Sequence, residues 1–106
     1  MSWNLLNQQV IHWAEERCIF ANSDPKTQCL KCVSEVGELA DNVAKGRNPV
    51  DDIGDTLVTL IILAKMHDLT VEECLEHAYG VISTRTGQMV NGVFEKDEPA
   101  TTQEAV

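Results

Sequence analysis

Apolar residues recur at three- and four-residue intervals through most of the chain, a pattern that predicts helices. The first segment, roughly 3–21, sets Trp3, Leu6, Val10, Trp13 and Phe20 near one face. Asn22-Ser23-Asp24-Pro25 interrupts it, with Asp24 placed to cap a second helix and Pro25 at its first position. That second segment runs to about Ala44 or Lys45 and is closed by Gly46. One stripe along it is apolar: Leu30, Val33, Gly37, Ala40 and Ala44. Another is polar throughout: Gln28, Lys31, Glu35, Glu38, Asn42 and Lys45.

Asn48-Pro49 restarts the chain as cap and first residue of a third segment, reaching about His67 or Asp68. Its stretch from Leu57 to Ala64 is apolar almost all the way round, so this helix should be surrounded by protein. Thr70-Val71-Glu72-Glu73 is a capping box opening a fourth segment, whose stripe reads Leu75, Ala78, Ile82 and Met89. No segment alternates at period two, so strands are not expected. Four helices with short connections predict an all-α four-helix bundle over residues 1–97, with a flexible polar tail over 98–106.

The net charge of −9 and the lack of a Lys/Arg patch argue against a nucleic-acid polymer as partner. No apolar run is long enough to span a membrane and no signal-peptide layout opens the chain, so a cytoplasmic protein is the expectation. Of the four cysteines, Cys29 and Cys32 have a C-x-x-C spacing inside a helical pattern, without the strand context of a redox motif. A zinc site is one reading of Cys18, Cys29, Cys32 and Cys74, and buried free thiols are the simpler one.

The chemistry concentrates in two acidic pairs, Glu35-Val36-Gly37-Glu38 and Asp52-Ile53-Gly54-Asp55. Residues three apart share a helix face, so an antiparallel hairpin of the second and third helices could bring four carboxylates together. Such a cluster repels itself unless a cation occupies it, and oxygen ligands favour Mg²⁺ or Mn²⁺. The spacing leaves a second reading open, a solvated face on which Lys31 pairs with Glu35. No Glu-x-x-His occurs, which argues against a di-iron bundle. Helix rise also sets the pairs several ångströms out of level, because Glu38 lies farther from Gly46 than Asp52 does from Pro49.

Three stretches carry a family resemblance: Gln28 to Leu39 with the first acidic pair, Asp52 to Val58 with the second, and Arg85-Thr-Gly-Gln-Met-Val-Asn-Gly-Val-Phe-Glu-Lys96. Together with Trp13 and Glu16-Arg17, they resemble the small, single-domain, phage-type members of the MazG-like all-α nucleoside triphosphate pyrophosphohydrolases. The resemblance spans about residues 10–97. Ser34 stands where that family commonly has a leading Glu, and Asp52 where it has the first Glu of the second pair. A Lys common just before the family's Arg is replaced here by Ser83 or Thr84.

The resemblance implies Mg²⁺-dependent hydrolysis of (d)NTPs to the monophosphate and pyrophosphate, by a homodimer or homotetramer that completes the bundle. It implies Glu35, Glu38, Asp52 and Asp55 as metal ligands. Glu35 is the candidate proton acceptor, and Lys31, Arg85 and Lys96 are the candidates for phosphate charge. Trp13 is a candidate base-stacking residue. The alternative is the same bundle as a non-catalytic metal- or nucleotide-binding module with a sensor or regulatory role.

Overall fold

The computed structural model describes residues 1–98. They form five helices and one hairpin: α1 (Trp3–Glu16), α2 (Ile19–Asn22), α3 (Pro25–Ala44), α4 (Val50–Met66), α5 (Val71–Ile82), β1 (Gly87–Val90) and β2 (Val93–Lys96). The chain divides into two compact units, one covering Met1–Glu73 and one beginning at Cys74. No helix among the described residues is long and apolar enough to cross a membrane. The expected tail lies outside the described residues, apart from Glu98.

Local chemistry sets most boundaries in the first unit. Ser2 caps α1 by accepting from the Leu5 N–H, and Asp24 caps α3 by accepting from the Thr27 N–H at 2.8 Å. Those charge-assisted bonds hold the Asp24 carboxyl below its ordinary range. Gly46, at φ 71°, ends the α3 connection in the left-handed region glycine tolerates. Asn48 accepts from the Val50 N–H, so α4 begins one residue later than the sequence pattern placed it. At Thr70 the capping box is complete: the Thr70 N–H donates to Glu73 and the Glu73 N–H donates back to Thr70.

Three expectations need correction. The first segment is two helices, broken where Cys18 adopts φ 60° without a glycine or proline to announce it. The fourth helix stops at Ile82, and Met89 lies on β1 instead of on its apolar stripe. The mainly helical fold therefore carries a small antiparallel sheet, Gly87 pairing with Lys96 and Val90 with Val93. It is not an all-α four-helix bundle. Asn91 (φ 50°) and Gly92 (φ 84°) make the hairpin turn with two successive positive φ angles, the conformation that Asn-Gly favours between two strands.

The core of the first unit is small and centred on α4. Ile61, Ile62 and Ala64 of α4 and Ala14 of α1 are its buried apolar residues. Each buried isoleucine contributes roughly 1.5–3 kcal/mol. Helix α3 makes the most extensive packing against α4, and α1 also packs on α4. That α3 interface is inverted relative to its hydrophobicity. Leu30, Val33, Gly37, Ala40 and Ala44 are all exposed, whereas Glu35 is buried and Gln28, Cys32, Leu39 and Asn42 are half-buried. The apolar stripe thus faces outward, and the inward face is the mixed line Gln28, Cys32, Glu35, Leu39 and Asn42, while Lys31, Glu38 and Lys45 of the polar stripe are exposed.

Candidate functional site

Helix α3 turns Gln28, Glu35 and Asn42 inward, and one of them meets a polar group of α4. Asn42 Nδ2 donates to Asp52 Oδ2 at 2.9 Å, and Arg47 donates in turn to Asn42 Oδ1 at 3.2 Å. The Asn42–Asp52 bond fixes the register of the antiparallel pair. With equal rise on both helices, Glu38 then lies near the level of Thr56 and Glu35 near that of Thr59. The offset expected from helix rise is thus real, and Asn42 occupies the place opposite Asp52 that a level pairing would give to an acid.

Glu35 and Asp52 are buried, while Glu38 and Asp55 are exposed at the rim. The Lys31 ammonium sits 3.1 Å from Glu35 Oε1, and Glu35 Oε2 is buried without a hydrogen-bond partner. Glu38 approaches Glu35 closely enough that its carboxyl is held above its ordinary range. The main cause is the hydrogen bond that Glu38 can give Glu35 only when protonated, then charge repulsion from Glu35 and desolvation, with Asp52 adding to it. Ionised Glu38 has no proton to give, so Glu35 Oε2 stays unpartnered. Lys31 is shifted upward by its bond and attraction to Glu35, with further attraction from Glu38 and Asp55. All four acids thus act on this one region.

A cleft of about 390 Å³ opens beside them, lined by residues that include Trp13, Gln28, Lys31, Glu35, Asp55 and Thr59. Gln28 Nε2 donates to Ser23 Oγ, which steadies the amide at the cleft wall. Trp13, Asp55 and Val58 also border a second, mainly apolar cleft with Leu6, Gln9 and Val10. The Arg17 guanidinium lies 5.2 Å from the centroid of the Trp13 ring. A half-exposed aromatic next to an acidic cluster is a suitable platform for a planar ligand.

Among the described residues no group of three or more His, Cys, Asp or Glu side chains is placed to hold a metal ion. The four acids are not gathered into one ligand set: Glu35 is paired with Lys31, Asp52 with Asn42, and Glu38 and Asp55 are exposed. What the structure does show is a buried carboxylate oxygen without a partner and an acid pushed upward by its acidic neighbours, a local excess of negative charge that Lys31 only partly offsets.

The cysteines form no site of this kind. All four are free thiols; Cys18, Cys29 and Cys74 are exposed and Cys32 is half-buried, so they are not the buried core thiols expected. Arg85 and Lys96 belong to the second unit. They stand at the open end of the hairpin, where the Thr86 hydroxyl donates to Asp97 and the Asp97 N–H donates to the Thr86 carbonyl. Asn42 and Arg47 are the residues the sequence pattern did not single out. The only signal for them was the wholly polar stripe on which Asn42 lies.

No protein-family model and no solved structure matches the chain. A 66-residue stretch, 60% of the chain, is 39% identical to an uncharacterized 18.2 kDa protein encoded in the rep-hol intergenic region of Haemophilus phage HP1. The matched stretch spans 40% of that relative's length.

Proposed function

We propose that the protein is a Mg²⁺-dependent nucleoside triphosphate pyrophosphohydrolase of the MazG-like kind, with Mn²⁺ as an alternative ion. The observation that carries the reading is Glu35 Oε2. It is a buried carboxylate oxygen without a partner, in a cleft that also holds a lysine, a second acid and a tryptophan. When bound, the cation neutralises the triphosphate and supplies Lewis-acid polarisation.

The chain's own residues supply the rest. Glu35 accepts the proton of the water that attacks the α-phosphorus. The α–β bridging P–O bond breaks, and pyrophosphate leaves with the electron pair. Lys31 stabilises charge on the phosphates, and Trp13 stacks on the base across the cleft. Arg85 and Lys96 are assigned to the phosphates by the resemblance, and substituting each tests that assignment separately.

The same reading includes a homodimer or homotetramer. Supporting it, Leu30 and Val33 of the outward α3 stripe are 70% and 63% exposed, an apolar face that a second copy would cover.

The test is pyrophosphate release from a panel of NTPs and dNTPs, with Mg²⁺ and with chelator. Turnover that requires the metal and is lost in Glu38→Ala is expected. Absence of turnover on every nucleotide, with Glu38→Ala indistinguishable from wild type, would end the enzymatic reading. One observation favours a non-catalytic binding module instead, the engagement of Asp52 by Asn42. Saturable nucleotide binding without product would establish that alternative.

A further inference from the structure

We infer that α5 and the β1–β2 hairpin form a docking arm, which lies on the outward α3 stripe of a second copy of the chain. The inference deepens the homo-oligomer proposed above and rests on it.

The arm leaves its own apolar residues uncovered. Helix α5 has no buried residue, and Val90 is the one half-buried position of the hairpin. Leu75, Tyr79 and Ile82 recur at helical spacing on one face of α5, and they are 65%, 64% and 50% exposed. Met89, Val93 and Phe94 of the hairpin are exposed as well. A twelve-residue helix is marginal by itself in water, and so is a lone two-stranded hairpin. Elements of this size hold their shape when an apolar face is covered.

The outward stripe of α3 has the same need. Leu30 and Val33 stand open there, and Gly37 and Ala40 beyond them are small, so bulky side chains from outside can settle along the helix. The edges match in charge. Lys26 lies four residues before Leu30 on the same face, exposed, and among the described residues it takes part in no ion pair. Glu72 and Glu76, also exposed, run beside the α5 face three residues before Leu75 and Tyr79.

Area favours a copy of this chain as the occupant. The large apolar residues named on the arm and the stripe, 49% to 70% exposed, leave on the order of 900 Å² open per copy. A standard interface takes about 800 Å² from each partner. Every copy carries both faces, so reciprocal docking covers arm and stripe twice about a two-fold axis and leaves no open end.

Mixed-chain NMR tests the docking without metal or nucleotide, so its outcome is separate from that of the hydrolysis assay. One full-length chain is ¹⁵N-labelled and carries Cys18→Ser, Cys29→Ser, Cys32→Ser and Cys74→Ser. The other is unlabelled, keeps only Cys74, which is exposed, and carries a nitroxide there. With the spin-labelled chain in excess, the Leu30, Val33 and Ala40 amides of the labelled chain should lose intensity and regain it when the nitroxide is reduced. Leu75→Asp with Tyr79→Asp, both at exposed positions, should return the full chain to monomers of 11.7 kDa in light scattering. An oligomeric wild type whose α3 amides stay sharp, or broadening confined to α5 and the hairpin, overturns the docking and leaves the assembly standing. So does α3 broadening seen only when label and nitroxide share one chain, which is closure within a copy. A double variant that stays oligomeric overturns it too. A monomeric wild type removes the assembly, and the docking with it.

Discussion

At the scale of single residues, the informative group is Glu38. Its carboxyl is raised from 4.5 by Glu35 first and by Asp52 after it. An acid with a raised folded-state pKa contributes stability below its unfolded-state value and loses that contribution as pH rises through the folded-state value. Ionised Glu38 facing Glu35 is therefore a strain of the metal-free protein near neutrality. Replacing it by an uncharged amide should remove the strain. Thermal melts of metal-free Glu38→Gln should show a stability gain over wild type that grows from about pH 4 to neutrality. Mg²⁺ at about 100 times its dissociation constant should add about 2.7 kcal/mol to wild type and much less to the variant. Parallel pH curves for the two proteins would show that the two carboxylates do not interact. Asn42 offers a complementary test. Asn42→Ala leaves buried Asp52 Oδ2 without its donor, and chemical denaturation should register a loss of about 1–3 kcal/mol. A loss near zero would mean that water replaces the amide.

At the scale of elements, the caps decide where helices begin, and the sequence states them openly. Asp24-Pro25, Gly46 and Thr70-x-x-Glu73 each act through their own side chain or φ angle, independent of the tertiary fold, so they could be read without a structure. Thr70→Ala should cost about 1 kcal/mol and speed amide exchange in the first turn of α5, measurable by hydrogen–deuterium exchange. The hairpin was harder to read. Its strands have four residues each, Gly-Gln-Met-Val and Val-Phe-Glu-Lys, and do not alternate, so the period-two test has nothing to detect. The legible signal was Asn91-Gly92 alone. Gly92→Ala should weaken the hairpin by about 1 kcal/mol, since alanine resists φ 84°. Loss of the β1–β2 cross-strand signals in NMR spectra is the readout, and unchanged signals would show that the strands do not depend on that turn. Gly87 is stricter, because a Cβ there would collide with the Glu95 carbonyl oxygen and the Phe94 ring. The α1 break at Cys18 carried no sequence signal of any kind.

At the scale of the whole molecule, the inversion of α3 governs both the site and the surface. Both stripes of this helix were visible in the sequence, but hydrophobicity alone would bury Leu30, Val33 and Ala40 and expose Glu35. The opposite orientation goes with Asp52 of α4, which is buried and takes its hydrogen bond from Asn42 of α3, whereas buried Thr59 satisfies its hydroxyl on the Thr56 carbonyl of its own helix. One rotation of α3 therefore creates the acidic cleft and leaves an apolar face outside. A chain that exposes such a face lowers its free energy by covering it, and a second copy supplies a surface of the same kind. Wild type should run as a multiple of its 11.7 kDa mass in light scattering coupled to size exclusion. Leu30→Asp and Val33→Asp together place two charges in that stripe and should return the protein to monomers at the same concentration. Neither position lies among the residues lining the Glu35 cleft, so Mg²⁺ binding measured on the monomeric variant separates assembly from the metal site. Wild type that remains monomeric at high micromolar concentration, with the double variant eluting identically, would show that the outward stripe is not a contact between copies.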